Sequence, residues 1–357
     1  MIGIVGGYGA VGGAAARLLA GRGVGGVRVG GRDLEAARRF VGEELGGRGE
    51  AWQVDAYDEA ALARFCRGCT VVVNCAGPSY LLLDRVARAA FLAGADYVDA
   101  AGDGPAFSGL ASTGTADATA VLSAGMLPGL TGLLPRHLAR FAGAGPHRLD
   151  VYTGGLDRLT PAAAGDVLLS GRGDHGEALA AWRGGATVSR ALSPAYGVEL
   201  PYFHGPVTAY PFLGTEAARV AGELGLQEAR WYNVITGDRV MAAMSAAVSA
   251  ADLMRVAELE LAGRTPYYVL LFQLSGPDTT RTMALRVDDS YELTAAVVAH
   301  ATEAVLRGDV EAGLHHADAV LDPARMLADL EPVAKIEISD DIPRIDLAAP
   351  AFEEGAL

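Results

Sequence analysis

The chain leaves an apolar run, Ile2–Val5, through GGYGAVG (residues 6–12) and passes at once into an alanine-rich stretch. A strand that becomes a helix within so short a turn needs backbone freedom and close packing that only glycine supplies. Gly7, Gly9 and Gly12 stand in G-x-G-x-x-G register. In that register the first glycine makes the tight turn, the second admits a pyrophosphate to the backbone, and the third lets helix and strand pack closely. The N–H groups of the helix start then face the anion. In a chain with 47 glycines the spacing alone is weak. A strand before it, a helix after it and βαβ units around it predict a dinucleotide turn rather than a tight turn that binds nothing. Gly7, Tyr8, Gly9, Ala10, Val11 and Gly12 are therefore the first expected cofactor contacts.

The first hundred residues alternate β-branched runs with alanine-rich helical stretches, the rhythm of parallel strands joined by crossover helices. Strands are predicted near 1–6, 26–30, 50–54, 70–75 and 96–99, and helices near 10–21, 33–45, 58–66 and 81–93, with Asp33 and Asp58 as N-caps. Residues 104–128 read as a last helix and strand of the same sheet. From about 147, "HRLDVYTGG", "ARWYNVITG" and "YYVLLFQLSGPDTTRTMALRV" read as longer strands of a mostly antiparallel sheet. "SYELTAAVVAHATEAVLRG" (290–308) predicts a long amphipathic helix closed by Gly308 and free to pack back on the first domain. The expected fold is α/β: a Rossmann domain over 1–128 plus about 293–330, an inserted α/β domain over 129–292 for substrate binding or dimerisation, and an acidic tail over 331–357. That tail reads either as a mobile end or as an arm whose Ile342, Ile345 and Phe352 cover a neighbour.

The strand after the glycine turn ends "VRVGGRD". An acid at that strand end would hold the ribose hydroxyls of NAD, whereas Gly30 and Gly31 stand there, followed by Arg32, a partner for a 2′-phosphate. NADP(H) is thus favoured over NAD(H), the competing reading of Arg32 being a solvated charge at a helix start. Asp55 and the segment Asn74, Cys75, Ala76, Gly77, Pro78 fall at the next strand ends and are expected to line the cofactor.

Composition removes several classes. The net charge of −14, from 43 acidic against 29 basic residues, repels a polyanion, so no nucleic-acid partner is expected. No apolar run approaches the roughly 20 residues of a membrane span, and no room for a leader precedes the first strand, which predicts a soluble cytoplasmic protein without a membrane partner. Lys335 is the only lysine, which excludes Schiff-base chemistry on an earlier one. Cys66, Cys69 and Cys75 are too few for a disulfide framework, and the CRGC pair reads as two half-buried thiols. No metal-ligand spacing is present. The expected partner is a small-molecule substrate, and a homodimer through the second sheet or the tail is compatible with the sequence.

With "GGYGAVG", "GGRD", "VVVNCAGPSY", "GADYVDAAGD", "AGMLPGL" and "YTGG" in place, the chain resembles the saccharopine dehydrogenase-like oxidoreductases. The resemblance implies a Rossmann domain with an α/β insertion and a C-terminal helix returning to the first domain. It also implies, from the family's best-known members, reduction of an imine between a keto or aldehyde carbon and an amino acid. Saccharopine-forming members usually carry an acid before the proline of the loop matching GMLPG; this chain has Leu127 there.

Hydride transfer belongs to the cofactor, so the protein must place the substrate carbon and handle one proton. The sequence offers Tyr80, Asp99 and Asp103 at strand ends and His204, flanked by tyrosines, from the second domain. The blander reading makes Asp99 and Asp103 turn and helix caps. Ser79, Tyr152, Arg158, His175 and Tyr210 are the expected substrate contacts, with Arg172 and Tyr202 nearby in sequence. His315 and His316 read as structural residues of a helical stretch. The leading function is an NADPH-dependent reductase of a C=N or C=O bond in a small metabolite, in a specialised biosynthetic setting. Two readings compete: reduction of an activated C=C bond, and a cofactor-binding sensor without catalysis.

Overall fold

The structure is a computed structural model and describes residues 1–115, 117–141, 147–170, 175–246, 248–277 and 279–347. The predicted alternation forms strands β1 (Ile2–Val5), β2 (Val27–Gly31), β3 (Glu50–Gln53), β4 (Val71–Asn74), β5 (Asp96–Asp99) and β6 (Thr119–Leu122). They pair in parallel in the order β6-β5-β4-β1-β2-β3. The chain runs outward from β1 through β2 and β3 and then resumes on the other side of β1 with β4, so the order reverses between β1 and β4. Such a switch point opens a crevice at the carboxyl ends of the strands.

The connecting helices follow their caps. Asp33 accepts from the Ala36 N–H and Asp58 from the Ala61 N–H, both at 3.0 Å, as the sequence predicted. The helix expected over 81–93 is instead two pieces, Ser79–Leu82 and Arg85–Leu92. Leu83 breaks it with φ 52°, donating its N–H to Ser79 O at 2.9 Å. The short first piece is what turns Ser79 and Tyr80 toward the crevice.

The second sheet is built from β7 (Arg148–Leu156), β8 (Gly176–Ala178), β9 (Ala181–Arg183), β10 (Ala186–Val188), β11 (Ala195–Val198), β12 (Val207–Gly214), β13 (Glu228–Ile235), β14 (Tyr267–Ser275) and β15 (Thr280–Val287). Only β7 with β13 runs parallel among the described pairs; the others are antiparallel. Its inner face, including Val151, Trp231, Leu270, Phe272 and Leu285, shares one buried cluster with the helix Leu130–Ala139 and with Ile4, Val29, Val73 and Val98 of the first sheet. The outer face packs Tyr152, Tyr232, Tyr267 and Val269 under Leu200 and Phe203.

The helix Ser290–Arg307 ends on Gly308 at φ 72°, the left-handed cap that glycine adopts without strain. It packs against the helix Ala10–Gly21 and against β4 and β5. Two strands then join sheets the sequence did not assign to them. Gly313–His316 (β16) extends the first sheet beside β6, so His315 and His316 lie on a strand and not in a helical stretch. Lys335–Ser339 (β17) adds an edge to the second sheet beside β15, and Ile345 packs on the outer-face cluster. The acidic end is therefore, over this stretch, part of the sheet; Phe352 lies outside the described residues. Both strands depend on distant partners, Gly313 on Thr119 and Lys335 on Arg286, which local patterning does not encode. No helix of the described residues is long and apolar enough to cross a membrane.

Candidate active site

The glycine turn has the geometry that a bound pyrophosphate requires. A side chain on Gly12 would place its Cβ 2.2 Å from Gly6 O, one on Gly7 2.8 Å from Ile4 O, and Gly6 itself sits at φ 76°. The helix Ala10–Gly21 starts on Gly9 with no side-chain cap. The first-turn N–H groups of Ala10, Val11 and Gly12 therefore point outward, as an anion needs. Gly7 N–H donates to Gly30 O at 2.9 Å, pinning the turn to β2. Arg32 and Asp55 are exposed at the ends of β2 and β3, and Asp55 accepts from the Tyr57 N–H at 3.0 Å. The residues present thus fit a dinucleotide, with Gly7 to Gly12, Arg32 and Asp55 on its adenosine-pyrophosphate side.

Past β4, Asn74 is buried and accepts from the Ala76 N–H at 3.2 Å while donating to Asp99 at 3.2 Å. Gly77 passes so close to the second domain's helix Pro161–Ser170 that a Cβ would stand 2.9 Å from Ala162 Cβ, and Pro78 lies against Gly165. This end of the crevice is therefore walled by both domains.

Four expected site residues are placed elsewhere or given another duty. Asp99 is 2 % exposed. It accepts from Asn74, from the Tyr97 hydroxyl and from the Ala101 N–H, so it fastens the loop after β5 from below rather than facing a substrate. Burial pushes its carboxyl up, against those three donors. His204 sits by the outer face of the second sheet, its Nε2 2.9 Å from Arg286 and its ring over Tyr267. Tyr152 is buried in that same face, stacked on Tyr232 with ring centres 5.0 Å apart. Alternation along β7 sends it away from the crevice. Arg158 is exposed and pairs with Asp289 at 2.7 Å, which uses its charge at the start of the returning helix. Tyr210, by contrast, lies across from Asn233, on the inner face. Arg172 lies outside the described residues.

What the fold brings together is Tyr80, His175, Asp166, Ser79 and Asp103. The rings of Tyr80 and His175 lie 3.6 Å apart at 31°. Asp166, on the helix Pro161–Ser170, accepts on Oδ1 from Ser79 Oγ at 3.1 Å and from the Tyr80 N–H at 3.4 Å. Burial raises its carboxyl, while those two donors and the charge of His175 draw it back. Burial, then the charges of Asp166 and Asp103, push the Tyr80 hydroxyl up to about 12, so it stays protonated at neutral pH. Asp103 starts the helix Gly104–Thr113 without capping it; its carboxylate accepts from Thr215 of the second domain.

Three further residues complete this wall. His316, at the end of β16, meets Ser123 Oγ at 3.2 Å and stacks on Phe107 with ring centres 4.1 Å apart; burial and the Arg219 charge hold it below the ordinary histidine range. Glu216 accepts from the Gly129 N–H at 2.7 Å and from the Thr131 hydroxyl. Asp318 is 2 % exposed, and it binds Arg136 at 2.8 Å and Arg219 at 2.7 Å, locking the two domains together. Sequence reading assigned none of these to the site, taking His316 for a structural residue and passing over Glu216 and Asp318. Asp166 carried the one available signal, being the sole charge in the apolar helix PAAAGDVLLS.

Burial, and then the charges of Asp318 and Asp103, raise Glu216 from 4.5 to about 8. The folded protein consequently holds a proton that the unfolded chain releases, so this group's contribution to stability is lost as pH rises from about 4.5 to about 8, by up to about 1.4 kcal/mol per pH unit. Urea unfolding of Glu216→Gln is expected to show a flatter decline than the wild type across that window. An unchanged slope would assign the pH dependence elsewhere. Among the described residues no group of three or more His, Cys, Asp or Glu is placed to hold a metal ion.

Residues 2–121 match the family described as the saccharopine dehydrogenase NADP binding domain. The apo saccharopine dehydrogenase (L-Glu forming) of Saccharomyces cerevisiae superposes with a TM-score of 0.68 at 15% identity, over 95% of this chain and 99% of that one. The homospermidine synthase of Legionella pneumophila, solved with NAD, superposes with a TM-score of 0.61 at 12% identity, over 98% of this chain and 96% of that one. At those identities the likeness shows the shared fold. No curated protein matches the sequence.

Proposed function

We propose that the chain, whose residues 2–121 match the saccharopine dehydrogenase NADP binding domain, is an oxidoreductase that reduces a C=N bond of a small metabolite with NADPH. The observation that carries the choice of bond is the pair of carboxylates, Asp103 and Asp166, whose charges both act on Tyr80. Among the described residues neither is in an ion pair with an arginine; their contacts are hydroxyls, a backbone N–H and the field of His175. A protonated imine is a cation, and two carboxylates in a half-buried crevice lower its energy. A ketone or an enone that takes the same proton onto oxygen as hydride arrives leaves no cation, so the carboxylates gain nothing from facing it.

The cofactor supplies hydride when bound; the chain's residues do the rest. Gly7 to Gly12 hold the pyrophosphate and Arg32 the 2′-phosphate, while Asn74 and the loop Ala76–Pro78 border the nicotinamide end. Asp166, whose carboxyl holds a proton more readily than an exposed aspartate, gives that proton to the imine nitrogen and then faces the resulting cation as a carboxylate. Tyr80, kept neutral, donates a hydrogen bond across the substrate and fixes its plane, with His175 stacked behind it. Glu216 and the Asp318 knot hold the second domain against the first so that the two carboxylates converge. NADP(H) is favoured because neither Gly30 nor Gly31 supplies a ribose-binding acid and Arg32 is exposed beside them.

The test is NADPH consumption with a cyclic imine, the ketone and the α,β-unsaturated ketone of one carbon skeleton. The imine is expected to turn over at least about tenfold faster than the others, equivalent to about 1.4 kcal/mol of barrier. Preference for the ketone or enone, or tight NADPH binding without turnover of any of them, would replace this reading with one of its two rivals.

A further inference from the structure

The ring of Tyr8 lies where a side chain at position 31 would begin. A Cβ built on Gly31 would stand 2.2 Å from Tyr8 Cε1, 2.6 Å from Cζ and 2.7 Å from the hydroxyl. No real Cβ tolerates such distances, so any residue larger than glycine at 31 must push the Tyr8 ring out of this position. The Tyr8 hydroxyl is itself held in place, accepting from the Asp33 N–H at 2.9 Å. On the other side, Gln53 Nε2 donates to Arg32 O at 3.1 Å. The backbone of residues 32 and 33 is thus held from two directions while the Arg32 side chain stands exposed.

We infer that Tyr8 and Gly31 form a cofactor-selecting pair, in which the tyrosine ring closes the place of a ribose-binding acid and presents Arg32 to a 2′-phosphate. The inference rests on the NADP(H) preference proposed above. At the end of β2 each position is closed to an acid by a separate means, beginning with 30, where a Cβ would stand 2.5 Å from Phe65 Cε2. At 31 the obstacle is the Tyr8 ring. Position 32 carries the opposite charge. Asp33 is an acid, but its Oδ1 accepts from the Ala36 N–H at 3.0 Å as the helix cap, so turning it to a ribose would uncap the helix. Glycine at 31 is therefore not a neutral gap in the fingerprint. It is the complement of the aromatic residue inside the glycine turn, and an acid at 31 alone cannot convert this site to NAD.

The experiment compares wild type, Tyr8→Ala, Gly31→Asp and Tyr8→Ala/Gly31→Asp, reading apo melting temperature and the dissociation constants of NADP and NAD by titration. Gly31→Asp is expected to melt below wild type and to bind both nucleotides at least about tenfold more weakly. Adding Tyr8→Ala is expected to recover part of the lost melting temperature and to bring NAD affinity above that for NADP. Tyr8→Ala alone, which needs no new side chain accommodated, is expected to lower the NADP:NAD affinity ratio about tenfold by freeing the Arg32 backbone. Gain of NAD binding by Gly31→Asp without the second change, or an unchanged ratio in Tyr8→Ala, would overturn the inference. Equal affinities of wild type for NAD and NADP would instead overturn the preference it rests on. In that case the melting temperatures still decide whether Tyr8 and a side chain at 31 compete for one space.

Discussion

Replacing Asp166 by asparagine is expected to lower kcat/KM for a C=N substrate by about 10²–10³-fold, the range associated with loss of a positioned proton-transfer group. The amide keeps an oxygen in place of Oδ1, so Ser79 Oγ and the Tyr80 N–H retain their acceptor and the fold has no reason to change. What disappears is the charge facing the cationic nitrogen and the proton that creates it. NADPH affinity should stay within about twofold, because Asp166 belongs to the second domain's side of the crevice and cofactor affinity resides in the glycine turn. Steady-state kinetics together with a nucleotide titration separate the two. A fall in NADPH affinity matching the fall in kcat/KM would make Asp166 a structural residue of the Gly77–Pro78 wall rather than the group that handles the proton.

Gly12→Ala is expected to abolish measurable nucleotide binding. The added Cβ would meet Gly6 O at 2.2 Å and Gly6 C at 2.8 Å, and both atoms belong to the backbone, which has no rotamer to yield. Either the helix Ala10–Gly21 moves off the turn or the turn opens. Both displace the N–H groups that a pyrophosphate needs, and the strain itself costs on the order of 1–3 kcal/mol. Titration should show NADPH affinity reduced at least about 100-fold, alongside a lower unfolding midpoint. Gly21 is the control: nothing lies within 4 Å of a Cβ there, so Gly21→Ala should bind as wild type does.

These two residues mark the limits of what the sequence made legible. Gly12 was readable because the constraint on it is local: it meets Gly6, a few positions earlier in the same turn, and the register states its role. The same holds for the caps Asp33 and Asp58 and for Gly308, whose partners lie within a helical turn. Asp166 depends on Ser79 and Tyr80, which the topology alone brings to it, and Glu216 on Gly129 and Thr131, 87 and 85 residues away. No period or motif encodes such meetings. His204 shows the converse. Flanking tyrosines made it resemble a site residue, yet it lies in the loop before β12, on the outer-face side, where Tyr267 and Arg286 take it up. Tyr152 went to the outer face for a different reason, since a strand residue's face is fixed by register and not by its chemistry. Leu127, standing where the family resemblance leads one to expect an acid, left the substrate's charge unreadable in that loop; in the proposed reaction the acids come instead from Asp103 and from the second domain.

In the proposed reaction, hydride passes from a nucleotide at the β1–β4 crevice to the carbon of a C=N bond held between Asp103 and Asp166. The most direct test is the fate of the label in product made from an imine and NADPH deuterated at the transferred position. Deuterium bound to the carbon that carries nitrogen, with a single label transferred in each turnover, is the predicted result. Deuterium on a carbon one bond further from the nitrogen, or product free of label, would contradict it.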